Sequence, residues 1–257
     1  MKTFRIVSVF ASTLVIAITI TAFISAKKSE NKNSSNAFAV VELFTSEGCS
    51  SCPPADELVA KIQKESAGKP VYILAYHVDY WNHLGWKDAF SSAEFSKRQS
   101  DYANYLNLQS VYTPQIVVDG QTEFVGSQEG TLRNAIRKSL QKTQTSQLNL
   151  TISKIDNNKV SLKYSTEGVD KSSVLFVAIV QKSASTKVER GENVGHTLSH
   201  IQIVRKLQKI ALKGDSGESD ISLPPGFDES KWEIVGLLQN SGSGIISAAS
   251  RASFVKV

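Results

Sequence analysis

Sulfur is scarce in this chain. Its 257 residues include two cysteines, Cys49 and Cys52, and one methionine, Met1. A bond between cysteines that enclose only two residues closes a very short loop, which restrains the unfolded chain far less than a long-range disulfide does. The pair is therefore better suited to chemistry than to stabilising a fold.

A concentrated basic surface is also missing. The formal net charge is +5, from 29 lysines and arginines against 24 acidic residues, and Lys2 and Arg5 belong to the leading segment. The remaining basic residues occur singly among acidic and polar ones, which is the pattern of an ordinary solvated surface. We therefore expect no nucleic-acid partner.

The one long apolar run lies at the beginning of the chain. Lys2 and Arg5 precede an uncharged run at residues 6–25, and a polar stretch follows at 27–36. This is typical of an export signal, although the run approaches the roughly 20 residues of a spanning helix. We expect residues 1–26 to be a signal peptide or an N-terminal anchor, 27–37 to be a polar linker, and the protein to be periplasmic or secreted. An uncleaved anchor would be its only contact with a membrane.

Residues 38–143 combine strand and helix patterns. The order is strand, helix, strand, helix, strand, strand, helix, with the cysteines after the first strand and Pro114 before the third. This is the minimal element order of thioredoxin, and we predict an α/β thioredoxin-like domain here. From residue 147 to 257 the pattern changes to alternating strands without helical periodicity, which predicts an all-β, sandwich-like C-terminal domain.

Four segments carry a family resemblance. They are VVELFTSEGCSSCPPAD at 40–56, YHVDYWNHLGWKDAF at 76–90, RQSDYANYLNLQSVYTPQIVVDG at 98–120 and RGENVGHTLSHIQIVRKL at 190–207. The chain resembles an exported bacterial family with a thioredoxin-like domain, catalogued as domain of unknown function 1223. The resemblance implies the fold and a dithiol site but no substrate.

The cysteines lie between a predicted strand and a predicted helix. Helical amides and the positive end of the helix dipole lower a thiol pKa at such a junction. We therefore predict that Cys49 is the nucleophile and that Cys52 resolves the mixed disulfide. Pro53 and Pro54 depart from the usual thioredoxin pattern, because a helix that begins at Pro53 places Cys52 nearer to the N-cap than Cys49. The alternatives are a structural disulfide and half of a metal site.

Three further residues are candidates near the dithiol. The segment TPQIVVDG resembles the thioredoxin segment in which a cis-proline faces the cysteines, so we predict a cis bond between Thr113 and Pro114, with the backbone of Thr113 pairing with a substrate peptide. Glu42 interrupts an apolar strand, where an ionised carboxylate is costly unless it is paired. It is either a proton shuttle for the resolving cysteine, or an edge residue that faces water or pairs with a lysine such as Lys61.

The loop at residues 77–86 is dense in aromatic and titratable side chains. Its candidate substrate-binding residues are His77, Asp79, Tyr80, Trp81 and Trp86. The aromatic residues could form an apolar wall for a peptide, while His77 and Asp79 could bond to each other or to a thiol. The alternative is a loop packed on the core with His77 as a buried, hydrogen-bonded residue.

A polar concentration follows in the second half, made up of Gly191, Glu192, Asn193, His196, His200 and Arg205. It indicates either a glycine-flanked turn with strand residues that pair across a sheet, or a contact with the first half of the chain.

These patterns favour an exported thiol–disulfide oxidoreductase. It would act on disulfides of envelope proteins or on a redox partner, with no cofactor beyond its own dithiol, and in a direction that the sequence does not predict. One alternative is a copper or zinc handling protein that uses Cys49, Cys52 and a histidine. The other is a non-enzymatic peptide-binding module.

Overall fold

The structure, a computed structural model, describes residues 37–156 and 158–254. The expected signal or anchor at 1–26, and the linker apart from its last residue, lie outside these residues. Among the helices that are described, none is long and apolar enough to cross a membrane.

The described residues form three α-helices, a short 3-10 helix and twelve strands. The helices are α1 (Pro53–Glu65), α2 (Ala93–Tyr105) and α3 (Glu129–Ser139), and the 3-10 helix is Asn82–Leu84. The strands are β1 (Ala39–Thr45), β2 (Val71–His77), β3 (Gln115–Val118), β4 (Thr122–Val125), β5 (Gln147–Asp156), β6 (Lys159–Glu167), β7 (Ser173–Lys187), β8 (Thr197–Ala211), β9 (Ser216–Ser222), β10 (Trp232–Asn240), β11 (Ile246–Arg251) and β12 (Ser253–Phe254).

One continuous eight-stranded sheet contains strands from both halves of the chain. Its order is β11-β10-β7-β8-β2-β1-β3-β4, and β5, β6, β9 and β12 form a separate four-stranded sheet. The junction is the parallel pairing of β2 with β8, in which Ala75 lies opposite Ile203. The predicted fold class, a thioredoxin-like domain followed by a β-sandwich, is therefore wrong. Sequence periodicity indicates where strands occur, but it does not indicate which strands pair with each other. Here β8 pairs with the edge of β2, which would otherwise be exposed.

Side chains alternate between the two faces of the sheet along each strand, so each face packs against a different set of elements. On one face of β1, Val41 and Leu43 pack with α1 and α3. On the other face, Val40 and Phe44 belong to a core that extends to α2 and also includes residues of β7, β8 and β10. The four-stranded sheet packs against β7 and β10, through residues such as Leu150 and Val177.

The connection from β1 to α1 places the cysteines. β1 is buried along its whole length between β2 and β3, and the chain leaves it at Thr45. Pro53 and Pro54 then occupy the first two helical positions, with Cys52 as the N-cap. This fits the preference of proline for the first helical turn, where the missing amide hydrogen costs no helical bond.

Candidate active site

Cys49 and Cys52 form a disulfide. Their Cα atoms are 5.4 Å apart, and both residues are fully buried. The flanking Ser50 and Ser51, which lie between them, are exposed. The bond thus lies just beneath the surface at the start of α1.

The first turn of α1 offers few amides to a sulfur atom. Pro53 and Pro54 have no amide hydrogen, and the amides of Ala55 and Asp56 donate to the carbonyl oxygen of Cys52, at 2.9 and 3.2 Å. Free helical amides therefore do not contribute as the sequence argument assumed, and only the helix dipole remains. The Ser51 hydroxyl lies 3.3 Å from the Cys49 sulfur and can donate to a thiolate there.

The Thr113–Pro114 peptide bond is cis, which confirms the prediction. The Ser51 hydroxyl donates to the carbonyl oxygen of Thr113 at 3.5 Å. Gly126 separates Pro114 from α1, since a Cβ on this glycine would lie 3.0 Å from the Cβ atoms of Pro114 and Ala55. Thr113 and Pro114 thus lie beside the start of α1, next to the disulfide.

Two tryptophans of the loop at 77–86 also reach this region. Trp81 donates from Nε1 to the Thr113 hydroxyl at 2.8 Å, and its Cβ would lie 3.0 Å from a Cβ on Gly48. Trp86 donates from Nε1 to Oε2 of Glu47 at 2.7 Å. The two tryptophans thus contact Glu47 and Gly48, the residues that precede Cys49.

Asp79 and Tyr80 point to α2. The Ser96 hydroxyl donates to Oδ1 of Asp79 at 2.5 Å, and the Tyr80 hydroxyl donates to Oε1 of Gln99 at 3.1 Å. These contacts anchor the loop to the core. The structure therefore does not place either polar group at the disulfide.

Glu42 lies on the face of β1 that is opposite α1. Its side chain is fully buried, accepts from Nε of Arg98 at 2.7 Å and accepts from the Tyr102 hydroxyl. Lys61, one partner considered from the sequence, pairs with Glu129 instead. Glu42 therefore lies neither at the dithiol nor at a sheet edge. Arg98, from α2, is the partner that neutralises its carboxylate.

The loop at residues 188–196, between β7 and β8, lies against the segment that carries the disulfide, and we call it the cover loop. Oε2 of Glu192 accepts from the amide and the hydroxyl of Ser50, at 3.0 and 2.7 Å. Asn193 is buried, and its amide donates to the carbonyl oxygens of Glu47 and Cys49 at 2.9 and 3.0 Å. Both features considered from the sequence are present: a turn flanked by Gly191 and Gly195, and a contact of this polar segment with the first half of the chain.

A buried acid–histidine cluster lies beneath the cover loop. It comprises Glu47, Asp56, His77, Asp88 and His200, all at most 5% exposed. Nδ1 of His200 lies 3.5 Å from Oδ1 of Asp56, and its Nε2 lies 3.5 Å from Oε1 of Glu47. Nδ1 of His77 forms a hydrogen bond with Oδ2 of Asp88 at 2.7 Å. The imidazole rings of His77 and His200 pack edge to face, with their centroids 4.7 Å apart.

The charges in the cluster shift the pKa values of His200 and Asp88. Burial lowers the pKa of His200, but the neighbouring carboxylates of Asp56 and Glu47 outweigh it and raise the pKa to about 9. Burial raises the pKa of Asp88, but His77 and two backbone amides outweigh it, so the net shift is downward. His200 is therefore a cation at neutral pH.

Sequence reasoning missed Glu47, Asp56 and Asp88 in this cluster. Asp56 could have been found from its spacing, since it lies four residues after Cys52 on a predicted helix. Among the described residues, no group of three histidine, cysteine or acidic side chains is arranged to hold a metal ion.

Residues 40–239 match the model of one protein family, described as Protein of unknown function (DUF1223). The chain belongs to this family. None of the curated proteins compared with this DUF1223 protein matches it.

Two solved structures resemble the DUF1223 protein over most of its length. A crystal structure of the protein AGR_C_4864 from Agrobacterium tumefaciens is 28% identical, with a TM-score of 0.66, and the match covers 84% of this chain and 94% of that one. HBP35 of Porphyromonas gingivalis is 16% identical, with a TM-score of 0.61, over 88% of this chain and 78% of that one. The second likeness shows the fold alone.

Proposed function

We propose that this protein is an exported thiol–disulfide oxidoreductase that acts on disulfides of envelope proteins, or on a redox partner, through Cys49 and Cys52. The observation that carries the proposal is the position of the disulfide. It closes across two residues at the N-cap of α1, beside the Thr113 carbonyl and above a buried acid–histidine cluster. A bond with so short a loop contributes little to stability, while its neighbours are groups that accept, donate or position protons.

The two sulfur atoms have different surroundings, and this supports different roles. The Cys49 sulfur contacts the hydroxyl of the exposed Ser51, which can stabilise a thiolate there, so Cys49 is the residue that a client thiol attacks. Cys52 is the N-cap of α1 and lies one helical turn before the buried Asp56. Cys52 is then the leaving sulfur when the disulfide opens, and the resolving thiol when it closes.

A client must displace the cover loop before it reaches the sulfur atoms. Ser50 and Ser51, which lie between the cysteines, are exposed, and so is Val194 of the cover loop, at 57%. The Thr113 backbone lies beside Ser51, where an extended client segment could pair with it. The leading residues 1–26 support the exported location, since their pattern is that of an export signal.

Trapping of a mixed disulfide tests the proposal. We expect purified Cys52→Ser protein to form a stable mixed disulfide with a disulfide-bonded peptide, because Cys49 attacks and no resolving thiol remains. Intact-mass spectrometry measures the adduct, and Cys49→Ser is the matched control, which should form little. An adduct that forms mainly with Cys49→Ser would reverse the roles of the cysteines. The absence of an adduct with both variants would refute exchange chemistry.

A further inference from the structure

His200 bridges the two acidic residues that flank the cysteine pair. Glu47 precedes Cys49 by two residues, and Asp56 follows Cys52 by four. His200 comes from β8, in the other half of the chain, and is 2% exposed. Its two ring nitrogens each lie 3.5 Å from one of these carboxylates, so β8 supplies a buried cation to the segment that carries the disulfide.

Asp56 lies between this cation and the start of α1, one helical turn after Cys52. The Asp56 amide bonds to the Cys52 carbonyl at 3.2 Å, and residues four apart share one face of a helix. The Asp56 carboxylate is held in place by the Thr45 hydroxyl, which donates to Oδ2 at 2.9 Å, while Oδ1 faces His200. One carboxylate thus has Cys52 on its own helix and the imidazole on the opposite side.

The cluster also retains unused hydrogen-bonding capacity. Within residues 37–156 and 158–254, Nε2 of His77 is buried and makes no hydrogen bond, while Oε1 of Glu47 and Nε2 of His200 face each other at 3.5 Å without the geometry of a hydrogen bond. Buried polar atoms are almost always hydrogen-bonded in folded proteins, and exceptions need a reason. A proton that His200 gains and loses during a reaction cycle is such a reason.

We propose that His200, with Asp56, supplies the proton that the Cys52 sulfur takes up when the disulfide opens. This inference rests on the proposed function. A client thiolate forms a bond to the Cys49 sulfur, and the electron pair of the Cys49–Cys52 bond passes to the Cys52 sulfur. Asp56 passes the proton of the His200 imidazolium to that sulfur, which leaves a neutral imidazole and a neutral thiol. Disulfide closure runs the same steps in reverse, and His200 regains the proton.

Titratable and charged groups face His200 from several elements. Glu47 faces it from the loop after β1, Asp56 from α1, and His77 from β2 with Asp88 behind it. Arg205, on β8, stacks over Phe90, whose ring also contacts His200. The carboxylates outnumber the cations next to the ring, which is consistent with a protonated His200 at neutral pH.

The pH dependence of disulfide opening by glutathione tests this inference. The rate is measured on the whole protein by alkylation and mass spectrometry, and is divided by the fraction of glutathione that is ionised. We expect the corrected wild-type rate to be constant from about pH 6.5 to 8 and to fall as His200 loses its proton near pH 9. His200→Gln should be about a hundredfold slower at pH 7 and should show no fall near pH 9.

Two further variants separate a proton route from a structural effect. Asp56→Asn should also be slow at pH 7, and its fall should move to lower pH because a carboxylate beside His200 is gone. The matched control His196→Gln removes an exposed histidine at the last position of the cover loop and should keep the wild-type profile. If His200→Gln does not fold, the presence or absence of the fall near pH 9 in the wild-type protein still tests the proton route.

The outcomes distinguish this inference from the proposed function. A wild-type disulfide that opens at a corrected rate independent of pH between 7 and 10 overturns the proton route and leaves thiol–disulfide exchange standing. The proton route is also overturned, and exchange again left standing, if His200→Gln keeps the fall near pH 9. A disulfide that glutathione does not open at any pH in the folded protein overturns both.

Discussion

At the residue scale, Pro53 and Pro54 change how a thiolate can be stabilised. They remove two amide hydrogens from the first turn of α1, and the next two amides are bonded to the Cys52 carbonyl. Stabilisation of a Cys49 thiolate then depends on the Ser51 hydroxyl and the helix dipole. Proton supply to Cys52 depends on side chains from elsewhere in the fold.

Glu42 has a structural role, and its substitution gives a first prediction. Glu42→Gln leaves the Arg98 guanidinium buried without an anionic partner, so we expect the free energy of unfolding to fall by about 3 kcal/mol. Chemical denaturation measures it. Lys61→Met, which breaks a pair exposed to solvent, is the control and should cost less than about 1 kcal/mol. If Glu42→Gln instead keeps its stability and slows exchange, Glu42 is the proton shuttle after all.

At the element scale, the hairpin of β7 and β8 determines access to the disulfide. Its strands are 15 residues each, and the cover loop at their tip reaches back to the segment that carries the cysteines. Gly191 and Gly195 have φ angles of 79° and 85°, a region that favours glycine. The tight turn that they permit brings Asn193 over the Cys49 backbone.

Loss of the Asn193 amide should expose the disulfide. Asn193→Ala removes two hydrogen bonds to backbone carbonyls, each worth roughly 1 kcal/mol, so we expect opening by glutathione to accelerate about ten- to thirtyfold. The measurement is the rate of thiol appearance under native conditions. Val194→Ala, at an exposed neighbour, should leave the rate unchanged. Equal rates in all three proteins would show that the cover loop does not limit access.

Most elements could be predicted from local patterns, and their partners could not. The two successive strands predicted after Pro114 are present as β3 and β4, and Asp119 and Gly120 between them adopt the positive φ angles of a tight hairpin turn. β11 and β12 are short serine-containing runs, and their apolar periodicity is too weak to predict them individually.

The same contrast holds for the site. The cis bond at Pro114 could be predicted, whereas the contacts of Trp81 with Thr113 and of Trp86 with Glu47 could not, because the sequence does not show where the loop at 77–86 lies. Asn193 and His200 reach the segment that carries the disulfide because β8 joins the edge of β2, a pairing between distant segments that no local pattern encodes.

At the scale of the whole molecule, the two halves share one sheet and one core. The core on the α2 side contains Val40 and Phe44 from the first half and Val180, Val204 and Val235 from the second. We therefore expect a fragment of residues 37–145 to lack a cooperative unfolding transition, because the edge of β2 and this core would be exposed. Thermal unfolding followed by circular dichroism measures this, with residues 37–257 as the control. A fragment that melts cooperatively near the temperature of the control would restore an independent first domain.

The central claim is that the Cys49–Cys52 disulfide exchanges in the folded protein. Its reduction potential, measured by equilibration in dithiol and disulfide buffers followed by acid quenching, alkylation and mass spectrometry, tests this most directly. We predict reversible reduction of the native protein at a potential between about −270 and −120 mV, the range of exchange-active dithiols. A bond that stays oxidised until the buffer is below about −300 mV, as structural disulfides do, would contradict the account.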